Sequence, residues 1–365
     1  MGFAHLHLHT QFSLLDGAIR LTDLFPHALD MGLTHVAMTD HGNMYGAIKF
    51  YDGARAHGLK PIIGCEVYVA PEHRTIKEKR RAPYHLILLA RNNEGYANLS
   101  RLVSLGFIEG FYGKPRIDKE ILGKYSKGLI GLTACLSGEI AKLISNNKAD
   151  EAYQAALQYQ DLFEKDSFYL ELQKNGLVEQ DRVNEELLNI SELAGIPVVA
   201  TNDCHYLRRA DHQAHEVLMC IQTGKRLDDP NRMHLSTDQF YVKSPEEMYE
   251  QFRGLEHALE NTDIIARQCD VTIEMGKFKL PQYPAPVGET TDQYLERMAQ
   301  EGLRTHILKQ AAAGNTLDEK VYADRLTFEL GVIQKMGFSD YYLIVWDFIN
   351  FARQAHIPVG PGRGS

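Results

Sequence analysis

Three histidines, His5, His7 and His9, occupy alternate positions near the start of the chain. Side chains of an extended segment alternate with a period of two, so the spacing predicts all three on one face and Leu6 and Leu8 on the other. A row of imidazoles has little use in an apolar core. Further along, Asp40 and His41 follow the apolar run Thr34–Thr39, and Asp203 and His205 follow Pro197–Thr201. Asp203 and His205 reach a common point if the backbone between them is extended. Glu66 interrupts the apolar run Pro61–Val69, His85 lies in Tyr84–Ala90, and Cys135 falls just past Leu129–Thr133. A carboxylate in an apolar strand is costly unless it is paired or bound to a metal. Imidazole, carboxylate and one thiolate form a ligand mix for Zn²⁺, Mn²⁺ or Fe²⁺ rather than for Mg²⁺ or Ca²⁺ alone. The candidates outnumber one tetrahedral shell, so a cluster of two to three divalent ions is implied. Clustered divalent ions acidify water and clamp the oxygens of a phosphoester undergoing in-line displacement. Cys65 and Cys204 read as core or flank, because alternation turns each away from its neighbouring candidate.

These residues need elements that bring them together. Short apolar, β-branched runs at Phe3–His9, Thr34–Thr39, Pro61–Val69, Tyr84–Ala90, Leu129–Thr133, Phe168–Leu172 and Pro197–Thr201 predict strands. Helical periodicity separates them, at Leu21–Met31, Met44–His57, Gly95–Gly106, Gly138–Ser145, Asp150–Glu164 and Leu177–Ala194. This alternation predicts an α/β fold with a largely parallel sheet, and seven strands in some 200 residues suit a closed barrel. In such folds functional side chains gather at the C-terminal ends of the strands. After residue 206 the pattern turns helical. Three prolines in Leu280–Pro286 mark a linker, and helices are predicted near Thr291–Ala313 and Asp318–Lys335. The domains therefore read as a barrel over 1–205 with a helical extension over 206–279, a linker over 280–290, and a second region over 291–365.

Composition limits the function classes. The 365 residues include 39 Lys and Arg against 48 Asp and Glu, a net charge of −9, which excludes a stand-alone nucleic-acid coat. Hydrophobic residues make up 44% and charged residues 24%, the balance of a chain that buries a core. No apolar run approaches the length of a membrane span, so no membrane partner is expected. Five widely spaced cysteines without a C-x-x-C fit a reducing cytoplasm. Sixteen histidines is a high count, and it favours a metal site. The stretch His73–Arg81 is basic and reads as a solvated loop.

Several motifs resemble those of the PHP (polymerase and histidinol phosphatase) family: His7-Leu-His9 with Asp16-Gly17, Thr39-Asp-His-Gly42, Gly64-Cys-Glu66 and Asn202-Asp-Cys-His205. Gln11–Gly17, Gly110–Asp118, Leu227–Pro230 and Met336–Val345 resemble one branch of it, the α subunits of bacterial DNA polymerase III. The resemblance covers essentially the whole chain. It implies a distorted seven-stranded (β/α) barrel, followed by helices and the start of a nucleotidyltransferase-like palm. The implied metal ligands are His7, His9, Asp16, His41, Glu66, His85, Cys135, Asp203 and His205. Of these, Asp16, His41, Asp203 and His205 are the candidate catalytic residues. His5 reads as a supporting or core residue.

The resemblance implies a 3′–5′ proofreading exonuclease in the barrel and DNA-templated DNA synthesis in the parent enzyme. It implies primer-template DNA and dNTP as substrates. The implied partners are a sliding clamp, a clamp loader and a separate proofreading subunit. Val359–Ser365 resembles the start of the palm, where Gly362, Arg363, Gly364 and Ser365 would cradle the triphosphate of a nucleotide. The polymerase Mg²⁺ ligands would lie beyond Ser365, so the chain reads as a natural N-terminus with a truncated end. Two other functions compete. One is a free-standing phosphoesterase of the histidinol-phosphatase type, which would not need the helices after the linker. The other is a catalytically silent barrel that binds a partner, which would not need the full ligand set.

Overall fold

The computed structural model describes residues 2–77, 82–277, 279–360 and 362. The chain forms two compact units, Met1–Ile273 and Glu274–Ser365. The first is built on strands β1 (His35–Met38), β2 (Lys60–Val69), β3 (Tyr84–Ala90), β4 (Arg116–Ile117), β5 (Leu129–Leu132), β6 (Phe168–Gln173) and β7 (Val198–Thr201). They form one curled sheet in the order β1-β2-β3-β5-β6-β7, with β4 paired to β2. The sheet is largely parallel, as expected, and is mixed only through one reversed strand. β3 runs antiparallel to both of its neighbours, whereas β1 with β2, β5 with β6 and β6 with β7 are parallel pairs.

The segment Phe3–His9 is not a ladder strand, yet it joins the two edges of the sheet. The Thr39 N–H donates to the Leu8 carbonyl at 2.9 Å, beyond β1. The Cys204 N–H donates to the His7 carbonyl at 3.1 Å and the His9 N–H to the Cys204 carbonyl at 2.8 Å, beyond β7. Side chains replace the other ladder partners, since the Leu8 N–H donates to Thr39 Oγ1 and the Thr10 N–H to Asp40 Oδ1. The chain bends at His7, so the expected alternation fails there. Leu6 enters one apolar cluster and Leu8 another.

Those two clusters define the architecture. The larger lies between the sheet and the surrounding helices. The smaller includes Ala37, Ile62, Ile87, Leu89, Ile130, Leu132, Tyr169 and Val199, one face of every long strand. It is completed by Ile265, Ala266 and Cys269 at the end of the helix Glu256–Gln268. Stepping by two along each strand from this cluster leads to the candidate ligands: Ile62 to Glu66, Ala37 to His41, Val199 to Asp203 and, backwards along β3, Ile87 to His85. The strands therefore carry an apolar floor and a polar mouth on one surface.

The second unit contains the helices Thr291–Ala312, Glu319–Lys335 and Ser339–Gln354. Among its described residues Leu330, Ser339 and Leu343 are buried. Thr290 caps the first helix and shares a reciprocal pair of bonds with Gln293. No helix among the described residues is long and apolar enough to cross a membrane.

Candidate metal centre

Strands β1, β2, β3, β5 and β7 each bring a candidate ligand to one place. Glu66 lies in β2, opposite Ile87. His41, three residues beyond β1, bridges to Glu66 in parallel register. Gly42 follows at φ +62, where a Cβ would come within 2.8 Å of Pro115 and 2.9 Å of Tyr68, so this tight turn requires glycine. His85 stands near the start of β3, and because β3 is antiparallel that start lies at the same end as the C-termini of β1, β2 and β7. The loop 10–17 folds back through bonds from the Asp16 and Gly17 N–H groups to the Ser13 carbonyl and sets Asp16 against His41. Asp203 and His205 meet at 3.3 Å, but not along an extended backbone. Asp203 takes φ +47, a left-handed conformation that Asp tolerates better than most residues.

The innermost ligand atoms form a compact figure. His7 Nε2 is 3.1 Å from His9 Nε2, 3.0 Å from Glu66 Oε2 and 3.0 Å from Asp203 Oδ1. His9 Nε2 is 3.1 Å from Glu66 Oε2 and 3.2 Å from Asp203 Oδ1. A tetrahedral shell with ligand bonds of about 2.0 Å has edges of about 3.3 Å. Two further groups overlap this one. His9, His41 and His205 form one, and His41, Glu66 and His85 the other. The rings of His9 and His205 stack at 4.4 Å, and His41 Nε2 lies 3.2 Å from Asp16 Oδ1. Cys135 Sγ is at the edge, 3.9 Å from His85 Nδ1. All nine sequence-derived candidates thus lie at the mouth.

Hydrogen bonding leaves this cluster incomplete. Asp16 Oδ1, Glu66 Oε1, Asp203 Oδ1, His41 Nδ1 and His205 Nδ1 are buried and make no hydrogen bond. The three oxygens have imidazole nitrogens close by, but at angles that make ion contacts only. Buried carboxylates left this way cost free energy unless a cation joins them, so the donor set fits divalent metal ions. Electrostatics prepares most of the ligands. Burial lowers His9 to about 3, aided by His41 and His205, so its ring is neutral and holds a lone pair. Burial also lowers His85. Burial opposes ionisation of Asp203, but His7 and His205 outweigh it and hold the carboxyl well below its usual range. Burial would lower His7 too, yet Asp203 and Glu171 raise it well above an ordinary histidine. Burial and Asp203 push the Cys135 thiol up to about 12.

His5 stands apart. Its Nε2 is 2.8 Å from the Lys243 carbonyl and its ring packs edge-on against Phe3. Cys65 and Cys204 are buried, with Cys65 Sγ donating to the Asp40 carbonyl. Sequence reasoning missed the supporting residues. Glu171 Oε1 lies 2.7 Å from His7 Nδ1, and Ser13 Oγ lies 3.0 Å from His9 Nδ1 while donating to Asp40 Oδ1 at 2.7 Å. Glu171 carries the same signal as Glu66, a carboxylate within an apolar strand. Gly362 is exposed, and Arg363, Gly364 and Ser365 lie outside the described residues. Residues 78–81 of the basic stretch also lie outside them. A separate group, His73, Asp118 and Glu120, already has a cation, since Arg74 Nη1 bonds Asp118 at 3.0 Å.

Known proteins resemble the chain along its whole length. Residues 5–175 match the PHP domain model, and residues 293–365 match the bacterial DNA polymerase III alpha NTPase domain. Over its whole length the chain is 46% identical to the DNA polymerase III subunit alpha of Borreliella burgdorferi, covering 31% of that protein. The chain belongs to the bacterial DNA polymerase III α family. The DNA polymerase III subunit alpha of Aquifex aeolicus is 42% identical over the whole chain, which covers 32% of it. The chain thus spans about a third of the length of the curated relatives it matches. A solved amidohydrolase from Chromobacterium violaceum, with bound sulfate and no metal, aligns at a TM-score of 0.36 and 15% identity. That alignment covers 56% of this chain and 88% of the other.

Proposed function

We propose that the mouth of the PHP barrel holds two to three divalent ions, Zn²⁺, Mn²⁺ or Fe²⁺, and hydrolyses phosphodiester bonds as a 3′–5′ exonuclease. The observation that carries this reading is the overlap of three ligand groups that share His9, His41 and Glu66. Bound ions would supply positive charge for a phosphodiester and a more acidic water. His7, His9, Glu66 and Asp203, all buried, would hold the inner part of the cluster. Asp16 and His41 are partly exposed and face the side open to substrate. Asp16 holds His41 through Nε2, and Asp203 pairs with His205 at 3.3 Å. His85 and Cys135 complete the rim.

In a full-length protein of this family the barrel would serve a DNA-synthesising enzyme, with primer-template DNA and dNTP as its substrates. Removal of mispaired 3′ ends would then be the use of the barrel's hydrolysis. The test is metal analysis together with an assay on single-stranded and mismatched primer 3′ ends. Metal-dependent release of 3′ nucleotides supports the reading. A metal-loaded chain that is inert on DNA ends but cleaves histidinol phosphate would replace it with the phosphatase function.

A further inference from the structure

Resting on the metal reading above, we propose that Glu171, which is outside the ligand set, is a positioning residue for His7. It holds the proton on Nδ1 so that Nε2 faces the cluster with a free lone pair. The two side chains meet at 2.7 Å, between Glu171 Oε1 and His7 Nδ1, and both are buried. Two other groups converge on the same oxygen. Gln173 Nε2 donates to it at 3.0 Å, and Thr201 Oγ1 donates to it from β7. Gln173 and Thr201 both donate to Oε1, which marks that oxygen as the acceptor, so the hydrogen of this contact belongs to His7 Nδ1.

The alternative tautomer has no comparable support. Gln173 Nε2 also approaches His7 Nδ1, at 3.4 Å, but its two protons already have acceptors in Glu171 Oε1 and Thr201 Oγ1. On the other side of the ring, Nε2 faces Glu66 Oε2, Asp203 Oδ1 and His9 Nε2. That side is where an electron pair is useful to a cation. The strand holds the lever in place: the Glu171 N–H donates to Thr133 Oγ1 at 2.8 Å, and residues 170–173 pair with β7. A carboxylate behind a ligating imidazole fixes its ring and raises its basicity, and losing such a partner weakens metal binding about 10- to 100-fold.

The test titrates Zn²⁺ against a competing chelator, using the full chain stripped of metal. The unmodified protein, Glu171→Ala and Glu171→Gln are compared, with circular dichroism of each apoprotein as the check of folding. Glu171→Ala should bind about 10- to 100-fold more weakly. Glu171→Gln should recover part of that loss, because its amide oxygen still accepts from Nδ1. Unchanged affinity of the Ala variant, or a Gln variant no better than Ala, overturns the proposal. Where the Ala variant does not fold, the imidazole ¹⁵N spectrum of the unmodified apoprotein, recorded at a pH high enough for the His7 ring to be neutral, decides: a neutral form protonated at Nε2 overturns the proposal, and one protonated at Nδ1 supports it. An unmodified chain that binds no Zn²⁺ defeats the metal reading instead, and the tautomer of His7 still decides the role of Glu171.

Discussion

The two ends of the barrel interior are built from the same strand faces and solve opposite problems. At the floor, Ile62, Ile87, Ile130 and Val199 need only one another and the end of the helix Glu256–Gln268. Their burial is favourable in itself, at about 25 cal/mol for each Å² of apolar surface removed from water. At the mouth, Glu66, His85 and Asp203 continue the same rows two or four residues further on. There burial is unfavourable, and the bonds among the side chains leave buried oxygens without a hydrogen bond. The floor is therefore complete as protein, whereas the mouth, on the reading proposed above, is completed by a cation. Stability at one end should be blind to metal and at the other should depend on it.

The largest effect expected is on hydrolysis. Asp203→Ala or His9→Ala removes an inner ligand, and release of 3′ nucleotides should fall to background in a time-course assay. Activity retained by both variants would trace the hydrolysis to a contaminating nuclease. Next in size is the floor. Ile87→Ala should cost about 2–5 kcal/mol in urea unfolding, by the same amount with and without metal. A cost that vanishes on chelation would join the two ends and break the distinction.

Chelation itself should be smaller in effect. A ligand present at 100 times its dissociation constant stabilises the folded state by about 2.7 kcal/mol. For a unit of this size each kcal/mol is about 2–4 °C in Tm, so EDTA should lower the melting temperature by several degrees. Glu66→Ala should abolish that shift and Ile87→Ala should preserve it, both read by scanning fluorimetry. The smallest effect lies outside both ends. Asn92 caps the helix Asn93–Ile108 by accepting from the Gly95 N–H at 2.9 Å. Asn92→Ala should cost about 1 kcal/mol, independent of metal, in the same urea series.

Much of the mouth was legible because ligand types stand out against apolar strands. Glu66 is the clearest case, since a carboxylate there is hard to explain as core. Other features depended on tertiary structure. The position of His85 near the start of its run makes sense only once β3 is known to be antiparallel, and strand direction leaves no local signature. The alternation of Phe3–His9 misled, because a bend at His7 separates Leu6 from Leu8 and sends His5 to Lys243. Asp203 and His205 converge through a left-handed turn, which the sequence does not announce. β4 is two residues long, below the length at which periodicity can speak. Glu171 was readable by the rule that found Glu66, but its partner His7 is 164 residues away and only the fold brings them together.

The most direct test of the account is metal content. The full chain, stripped with chelator and reconstituted separately with Zn²⁺, Mn²⁺ and Fe²⁺, is desalted and measured by inductively coupled plasma mass spectrometry beside Glu66→Ala. The shared ligand groups predict two to three ions per unmodified chain with at least one of these metals, and at least one fewer in the variant. Retention of no ion with any of the three, or an equal count in both proteins, would contradict the reading of the mouth as a multinuclear metal centre.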